Sequence, residues 1–158
     1  MRSFLVVLVS VFLVSTANAV LACSLPHDWS YQKEFDESNE VFRAFVTRVE
    51  VSDYEFDDKK ADGFFIIEVY YELKEVLKGT PRKEGPILTH TAIGGGCGVP
   101  VLAGFDYVFF TYPANRNDDP AFAELANGII SLSGTSSLHT NEKFAEQKMA
   151  YFRSLAKK

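Results

Sequence analysis

Alternation of apolar and polar side chains within residues 64–78 constrains the fold of this chain more than any other feature. Residues on one parity are Phe65, Ile67, Val69, Tyr71 and Leu73, and those on the other are Glu68, Tyr70, Glu72 and Lys74. A period of two places one set on a buried face and the other in water, which predicts a β-strand. We expect so long a strand to bend and to serve two sides of a closed barrel.

Four more segments predict strands. Residues 41–51 change parity between Val46 and Val49, which indicates a β-bulge or a barrel corner. Residues 105–112 are aromatic and apolar on both parities, so we expect a central strand with two buried faces. The remaining predicted strands are residues 87–92 and 128–132.

Two helices are predicted, a short one near residues 29–35 and an amphipathic one over residues 140–157, which Thr140 or Asn141 can cap. The apolar face of the second recurs at helical spacing. Its predicted members are Ala145, Met149, Phe152 and Ala156, widened by Phe144 and Leu155. The fold class that follows is mostly β: a five-stranded OB-type Greek-key barrel with the C-terminal helix packed on it.

Residues 1–19 read as a secretory signal peptide, with Arg2 before an apolar core and Ala17-Asn18-Ala19 at its end. The apolar core, residues 4–14, is about half of the ~20 residues that a spanning helix needs. We therefore expect one exported domain over residues 20–158, secreted or periplasmic, with no transmembrane segment and monomeric.

Charge argues against two classes of partner. Removing Arg2 with the leader leaves 15 basic residues against 21 acidic ones, a net charge of −6. A domain this acidic repels phosphates, so we expect neither nucleic acid nor an anionic membrane surface as its partner.

The two cysteines, Cys23 and Cys97, lie 74 positions apart. Export favours a disulfide between them, worth about 4 kcal/mol by chain entropy. An alternative stays open, because Val20-Leu21-Ala22-Cys23 loosely resembles a bacterial lipobox, which would make Cys23 a lipidated N-terminus and Cys97 a free thiol. Leu21 fits a lipobox poorly at its position, and the apolar core ends far upstream.

No residue pattern predicts catalysis. His27, His90 and His139 lack metal-ligand spacing. The glycine run at 94–96 lacks the lysine and the strand-to-helix context of a phosphate-binding loop. We expect neither an enzyme nor a cofactor. The acidic residues Glu34, Asp36, Glu37 and Glu40 are predicted to form a solvated helix face and turn rather than a metal site.

Five short motifs in order resemble one known family. They are Cys23-Ser24-x-Pro26, Val41-Phe42-Arg43-Ala44-x-Val46, Glu75-Val76-Leu77-Lys78-Gly79, Cys97-Gly98 and Ser133-Gly134-Thr135. Together they resemble the netrin-like modules typified by tissue inhibitors of metalloproteinases, and most of all the exported bacterial type.

The resemblance implies an OB-fold barrel with a Cys23–Cys97 bridge. Members of the family often begin Cys-x-Cys and carry another cysteine near the last strand. Leu25 and Leu132 stand at those two positions here. The resemblance therefore implies that both partners of a second bridge are missing together.

The resemblance also implies a mechanism. In the animal inhibitors the mature chain begins at the first cysteine, whose α-amino group and carbonyl oxygen chelate the zinc of a protease. Ser24 would then enter the specificity pocket of the protease. The implied partner-binding segment is Cys23, Ser24, Leu25 and Pro26.

That mechanism requires Cys23 to be the first residue, whereas cleavage after Ala19 leaves Val20-Leu21-Ala22 in front of it. Two functions follow: an inhibitor of a zinc metalloprotease, or a non-inhibitory interaction module of the envelope or extracellular space. The second could be lipid-anchored at Cys23.

Overall fold

The computed structural model describes residues 25, 27–52, 66–90, 98–113, 128–131, 133–138 and 142–157. The predicted signal peptide and both cysteines lie outside these residues. Within the described ranges the chain forms two helices and six strands. In chain order they are α1 (Tyr31–Glu37), β1 (Glu40–Val51), β2 (Ile66–Lys78), β3 (Ile87–His90), β4 (Asp106–Tyr112), β5 (Ile129–Ile130), β6 (Ser136–Ser137) and α2 (Glu142–Leu155).

Five of the strands form a closed ring. Strand β1 pairs antiparallel with β2 on one edge and with β4 on the other. Strand β3 joins β2 antiparallel and β5 parallel, and β5 pairs with β4 to complete the circuit. Strand β6 adds to β4 outside the ring. This arrangement confirms the predicted mostly β, five-stranded barrel-like fold with a C-terminal helix.

The parity change in β1 is an irregularity of its pairing with β2. Val46 pairs with Tyr71 and Arg48 with Tyr70, so Thr47 is skipped. Two more register shifts lie nearer the start of the strand. An extra residue of this kind bends a strand and increases its twist, which lets β1 belong to both sides of the ring.

Apolar side chains fill the inside of the ring. Phe42 packs on Tyr71 with ring centroids 5.1 Å apart and on Phe109 at 5.8 Å. Tyr107 stacks on Phe109 at 5.5 Å. The buried members of this interior cluster are Phe42, Ala44, Val46, Val69, Tyr71, Ile87, Val101, Tyr107, Phe109 and Ile130.

A second cluster lies on the outer face of the ring, beneath the two helices. Phe110 of β4 meets Phe152 of α2 at 5.6 Å and Phe35 of α1 at 6.3 Å, edge to face in both pairs. Because neighbouring residues of β4 enter different clusters, the prediction of a strand buried on both faces is confirmed. The buried members of this helix-covered flank are Phe35, Val41, Val108, Phe110, Leu138, Met149, Phe152 and Leu155.

Some sequence predictions are wrong in detail. Phe144 and Ala156 of the expected apolar face are exposed, because the buried face of α2 is the narrower set Met149, Phe152 and Leu155. Strand β6 was not predicted, since two serines carry no strand pattern. Of the predicted strand at 128–132, Ile129–Ile130 is a strand in the structure, and Leu132 lies outside the described residues.

Candidate functional site

The predicted partner-binding segment enters the described structure at Leu25. Its side chain is 52% exposed, to a similar degree as those of Val51 and Leu102. Cys23, Ser24, Pro26 and Cys97 lie outside the described residues, so the bridge and the other three contact residues stay predictions. The residues from His27 to the end of α1 follow this segment in the chain, and we call them its support.

Helix α1 begins three residues after a turn at His27 and Asp28. Ser30 is its N-cap, and its Oγ accepts a hydrogen bond from the Lys33 backbone N–H at 3.2 Å. Lys33 also reaches back to Asp28, with the ammonium nitrogen 2.5 Å from a carboxylate oxygen. That hydrogen bond lowers the pKa of Asp28. The turn is therefore connected to the first turn of the helix.

Glu34 is buried, at 6% exposure, so the prediction of a solvated acidic face is wrong for this residue. Its Oε2 accepts a hydrogen bond from Trp29 Nε1 at 3.2 Å. Its Oε1 accepts from the Tyr112 hydroxyl at 2.8 Å and from the Ser131 hydroxyl. One carboxylate thus joins Trp29, just ahead of α1, to the end of β4 and to the residue after β5.

The sequence held no signal for this network, because its members are far apart in the chain. Tyr112 and Ser131 lie 78 and 97 positions from Glu34. Within helix α1, Glu34 has acidic neighbours at positions 36 and 37, and an acidic run of this kind is usually solvated. Only the closed ring brings the two hydroxyls to the carboxylate.

The network extends into the Ser133-Gly134-Thr135 motif. Ser131 Oγ accepts hydrogen bonds from the backbone N–H groups of Ser133 at 3.3 Å and Gly134 at 3.2 Å. A Cβ on Gly134 would lie 2.5 Å from Phe110 Cγ and 2.7 Å from Glu34 Cγ. Only glycine therefore fits against the buried carboxylate at this position.

The motif over residues 75–79 fixes the other end of α1. Lys78 Nζ donates hydrogen bonds to the backbone oxygens of Phe35 at 2.6 Å and Asp36 at 2.8 Å. A cation at the C-terminus of a helix satisfies free carbonyls and complements the helix dipole. Gly79 has φ +76°, and a Cβ there would lie 2.7 Å from the Asn39 backbone oxygen.

Glu75 in the same motif ties down helix α2. It accepts two hydrogen bonds from Arg153, each 2.7 Å long, in a two-pronged ion pair. The hydrogen bond from Arg153 lowers the pKa of Glu75 against the opposing effect of desolvation. The motif therefore holds both helices on one flank of the ring.

Aromatic contacts complete the support of the N-terminal segment. Trp29 lies edge-on to Tyr31, with centroids 4.8 Å apart. Tyr31 in turn contacts Phe152 at 5.3 Å and Tyr151 at 5.9 Å on α2. The residues just after the predicted partner-binding segment are thus held by β4, by α2 and by Glu34.

A cleft of about 250 Å³ opens beside the residues that follow Cys97 in the chain. Tyr107 forms part of its wall, and its hydroxyl accepts a hydrogen bond from the Leu102 backbone N–H at 3.0 Å. The volume is below the ~300–1,000 Å³ of small-molecule sites. Its lining residues are Gly98, Val99, Pro100, Tyr107, Thr135 and Ser137.

Metal-ligand clusters and membrane-spanning helices are both missing from the residues that the structure describes. No three His, Cys, Asp or Glu side chains among them lie close enough together to hold a metal ion. None of their helices is long and apolar enough to cross a membrane. His27 is exposed.

Comparisons with known proteins assign no family to the chain. A scan against protein-family models and a search of curated proteins both found no match. The netrin-like resemblance therefore depends on the motifs of the sequence.

Proposed function

We propose that this chain is an exported, inhibitor-like protein-binding module that blocks a zinc metalloprotease with its N-terminal segment, residues 23–26. The observation that carries the proposal is the exposure of Leu25 directly before a firmly held support. A binding segment on a rigid support loses little conformational entropy when it meets its partner.

The chemistry of inhibition follows from the properties of a catalytic zinc. Such a zinc keeps one coordination position open for water or substrate. The free α-amine and the carbonyl oxygen of Cys23 form a compact bidentate ligand that displaces that water. Ser24 occupies the neighbouring specificity pocket, and the Cys23–Cys97 bridge holds the chelating residue in place.

A matched pair of recombinant chains tests the proposal. One chain begins at Cys23 and the other at Ala22, so that they differ by one residue that converts the amine into an amide. Each is titrated against a panel of purified zinc metalloproteases with a fluorogenic peptide substrate. We expect the first chain to inhibit a member of the panel and the second to lose that inhibition. Equal effects of the two chains, or no inhibition by a confirmed Cys23 N-terminus, would refute the mechanism.

Leu25 provides a second comparison within the same assay. Replacing Leu25 with alanine should weaken inhibition if this side chain contacts the protease. Val76→Ala is the control, since Val76 is 48% exposed on β2 and outside the proposed segment. A Leu25→Ala chain that inhibits like the Val76→Ala chain would remove Leu25 from the contact surface.

A non-inhibitory interaction module is the second candidate, and the small-x-small sequence Ala17-Asn18-Ala19 favours it. Cleavage there leaves Val20-Leu21-Ala22 ahead of Cys23 and removes the free amine. Mass spectrometry of the exported protein distinguishes a Val20 start, a free Cys23 start and an acylated Cys23. A Val20 start would exclude zinc chelation and leave the interaction module.

A further inference from the structure

We propose that Glu34 is a positioning residue, whose buried carboxylate fixes Trp29 and through it the chain that leads back to Leu25. This inference deepens the proposed function, because it names the group that orients the partner-binding residues. It can be tested without any partner.

The burial of Glu34 is the first step of the argument. A carboxylate taken out of water costs free energy that an apolar side chain in the same place would not. Its three described hydrogen-bond donors are the neutral groups of Trp29, Tyr112 and Ser131. A purely packing role would be filled better by leucine or methionine, so the directed hydrogen bonds are what the carboxylate contributes.

The second step is that the two carboxylate oxygens of Glu34 accept hydrogen bonds from different parts of the protein. Oε1 takes both hydroxyls of the barrel, Tyr112 and Ser131, and Oε2 takes the Trp29 indole. Glu34 therefore links the chain ahead of α1 to the barrel. Trp29 lies between Leu25 and helix α1. Its indole is the group ahead of the helix that the carboxylate contacts directly.

Distance along the chain connects Trp29 to the partner-binding segment. Leu25 is four residues before Trp29, so the two lie within about 14 Å at ~3.5 Å per residue. A change in the position of the indole is thus passed to Leu25 over a short piece of chain. The other supports, Lys78 and Tyr31, hold helix α1 itself.

Trp29 offers a direct measurement, because it is the only tryptophan in the chain. The variant Glu34→Gln keeps the shape of the side chain but replaces one accepting oxygen with a donating NH₂ group, which opposes the surrounding donors. We expect red-shifted Trp29 emission, stronger acrylamide quenching and about tenfold faster hydrogen exchange at residues 27–33. Strands β1 and β4 should keep their protection.

Asp28→Asn is the matched control, because it removes one negative charge from the same segment without touching the network. Asp28 is exposed and pairs only with Lys33 among the described residues. This variant should leave Trp29 emission unchanged. If Glu34→Gln does not fold, Tyr112→Phe removes one donor with little change of shape, and it should shift Trp29 in the same direction by less.

The outcomes separate positioning from general support. Unchanged emission and exchange in Glu34→Gln would overturn the proposal, and so would an equal loss of protection in β1 and β4. In the Cys23-starting chain, Glu34→Gln should weaken protease inhibition more than Asp28→Asn, which loses only the exposed pair with Lys33. If the parent chain inhibits nothing, the proposed function fails while the Trp29 measurements still decide the role of Glu34.

Discussion

The interior of the β-ring and the helix-covered flank are both tightly packed, but different interactions specify them. The interior holds apolar and aromatic side chains, and the hydroxyl of Tyr71 donates a hydrogen bond to the Arg82 backbone oxygen at 3.2 Å. The flank adds charged groups at defined points, namely Glu34, Lys78 and Arg153. The pattern of apolar residues along the strands thus specifies the ring, whereas individual polar contacts specify the flank.

The difference has a physical cause. Strands are aligned by backbone hydrogen bonds, so side chains inside the ring need only fill space. Apolar contact is non-directional and leaves a helix free to slide and rotate on the sheet. Charged hydrogen bonds have directions, and they fix where α1 and α2 lie.

The largest expected effect comes from emptying the interior. Phe109 is fully buried between Phe42 and Tyr107. Phe109→Ala should lower the free energy of unfolding by about 3–5 kcal/mol. Because the interior belongs to the whole ring, urea unfolding followed by circular dichroism and by Trp29 fluorescence should give coincident curves. Separate curves, or a loss below about 1 kcal/mol, would contradict a shared interior.

Crowding the flank should cost less and act locally. Gly134→Ala places a Cβ against Phe110 and Glu34, with an expected loss of about 1–3 kcal/mol and altered Trp29 emission. Gly104→Ala is the control, because Gly104 has φ +87° and no atom lies within 4 Å of the place that its Cβ would take. It should cost about 1 kcal/mol from the backbone alone and leave Trp29 unchanged. Denaturation with the same two probes measures both.

Removing the cation at the end of α1 should be milder. Lys78→Met keeps the aliphatic stem but loses the hydrogen bonds to the Phe35 and Asp36 oxygens, at a cost of about 1 kcal/mol. Lys74→Met on the same strand removes an exposed pair with Glu72 and a contact of the ammonium with the Phe45 ring, and it should cost less. Thermal unfolding of the two variants tests this, and equal midpoints would show that Lys78 does not hold the helix.

The smallest effect is a pH dependence at α2. The pKa of Glu75 is lowered in the folded protein by the hydrogen bond from Arg153, so the ion pair stabilises the fold above the ordinary glutamate pKa of 4.5. That contribution is lost as the pH falls through the lowered value. Both side chains are partly exposed, and about 0.5 kcal/mol is expected.

Glu75→Gln should reduce stability at pH 7 and should approach the parent protein at pH ~3. Glu72→Gln, whose partner is the exposed Lys74, is the control. Denaturation of all three proteins at both pH values tests the sign. A gap between the parent and Glu75→Gln that widens on acidification would reverse the assignment.

Sequence reasoning predicted the ring because its signals are local. The alternation in β2, the skipped residue in β1 and the two-sided burial of β4 all show in adjacent residues. It failed where partners are distant, as at Glu34, and where a strand has no pattern, as at β6. Of the predicted site, only Leu25 lies in the described residues, where it is exposed.

The parallel pairing of β3 with β5, which completes the ring, is the shortest strand pairing among the described residues of the ring. Among the described residues, Leu88 pairs with Ile129 alone, 41 positions away, next to a hydrogen bond from the Leu88 N–H to the Gly128 oxygen. A pairing this short is held by few backbone hydrogen bonds, so we expect this join to be the least stable of those that the structure describes in the ring. Local opening should therefore occur first between β3 and β5, and the Leu88 amide should exchange with deuterium well before the amides of β1.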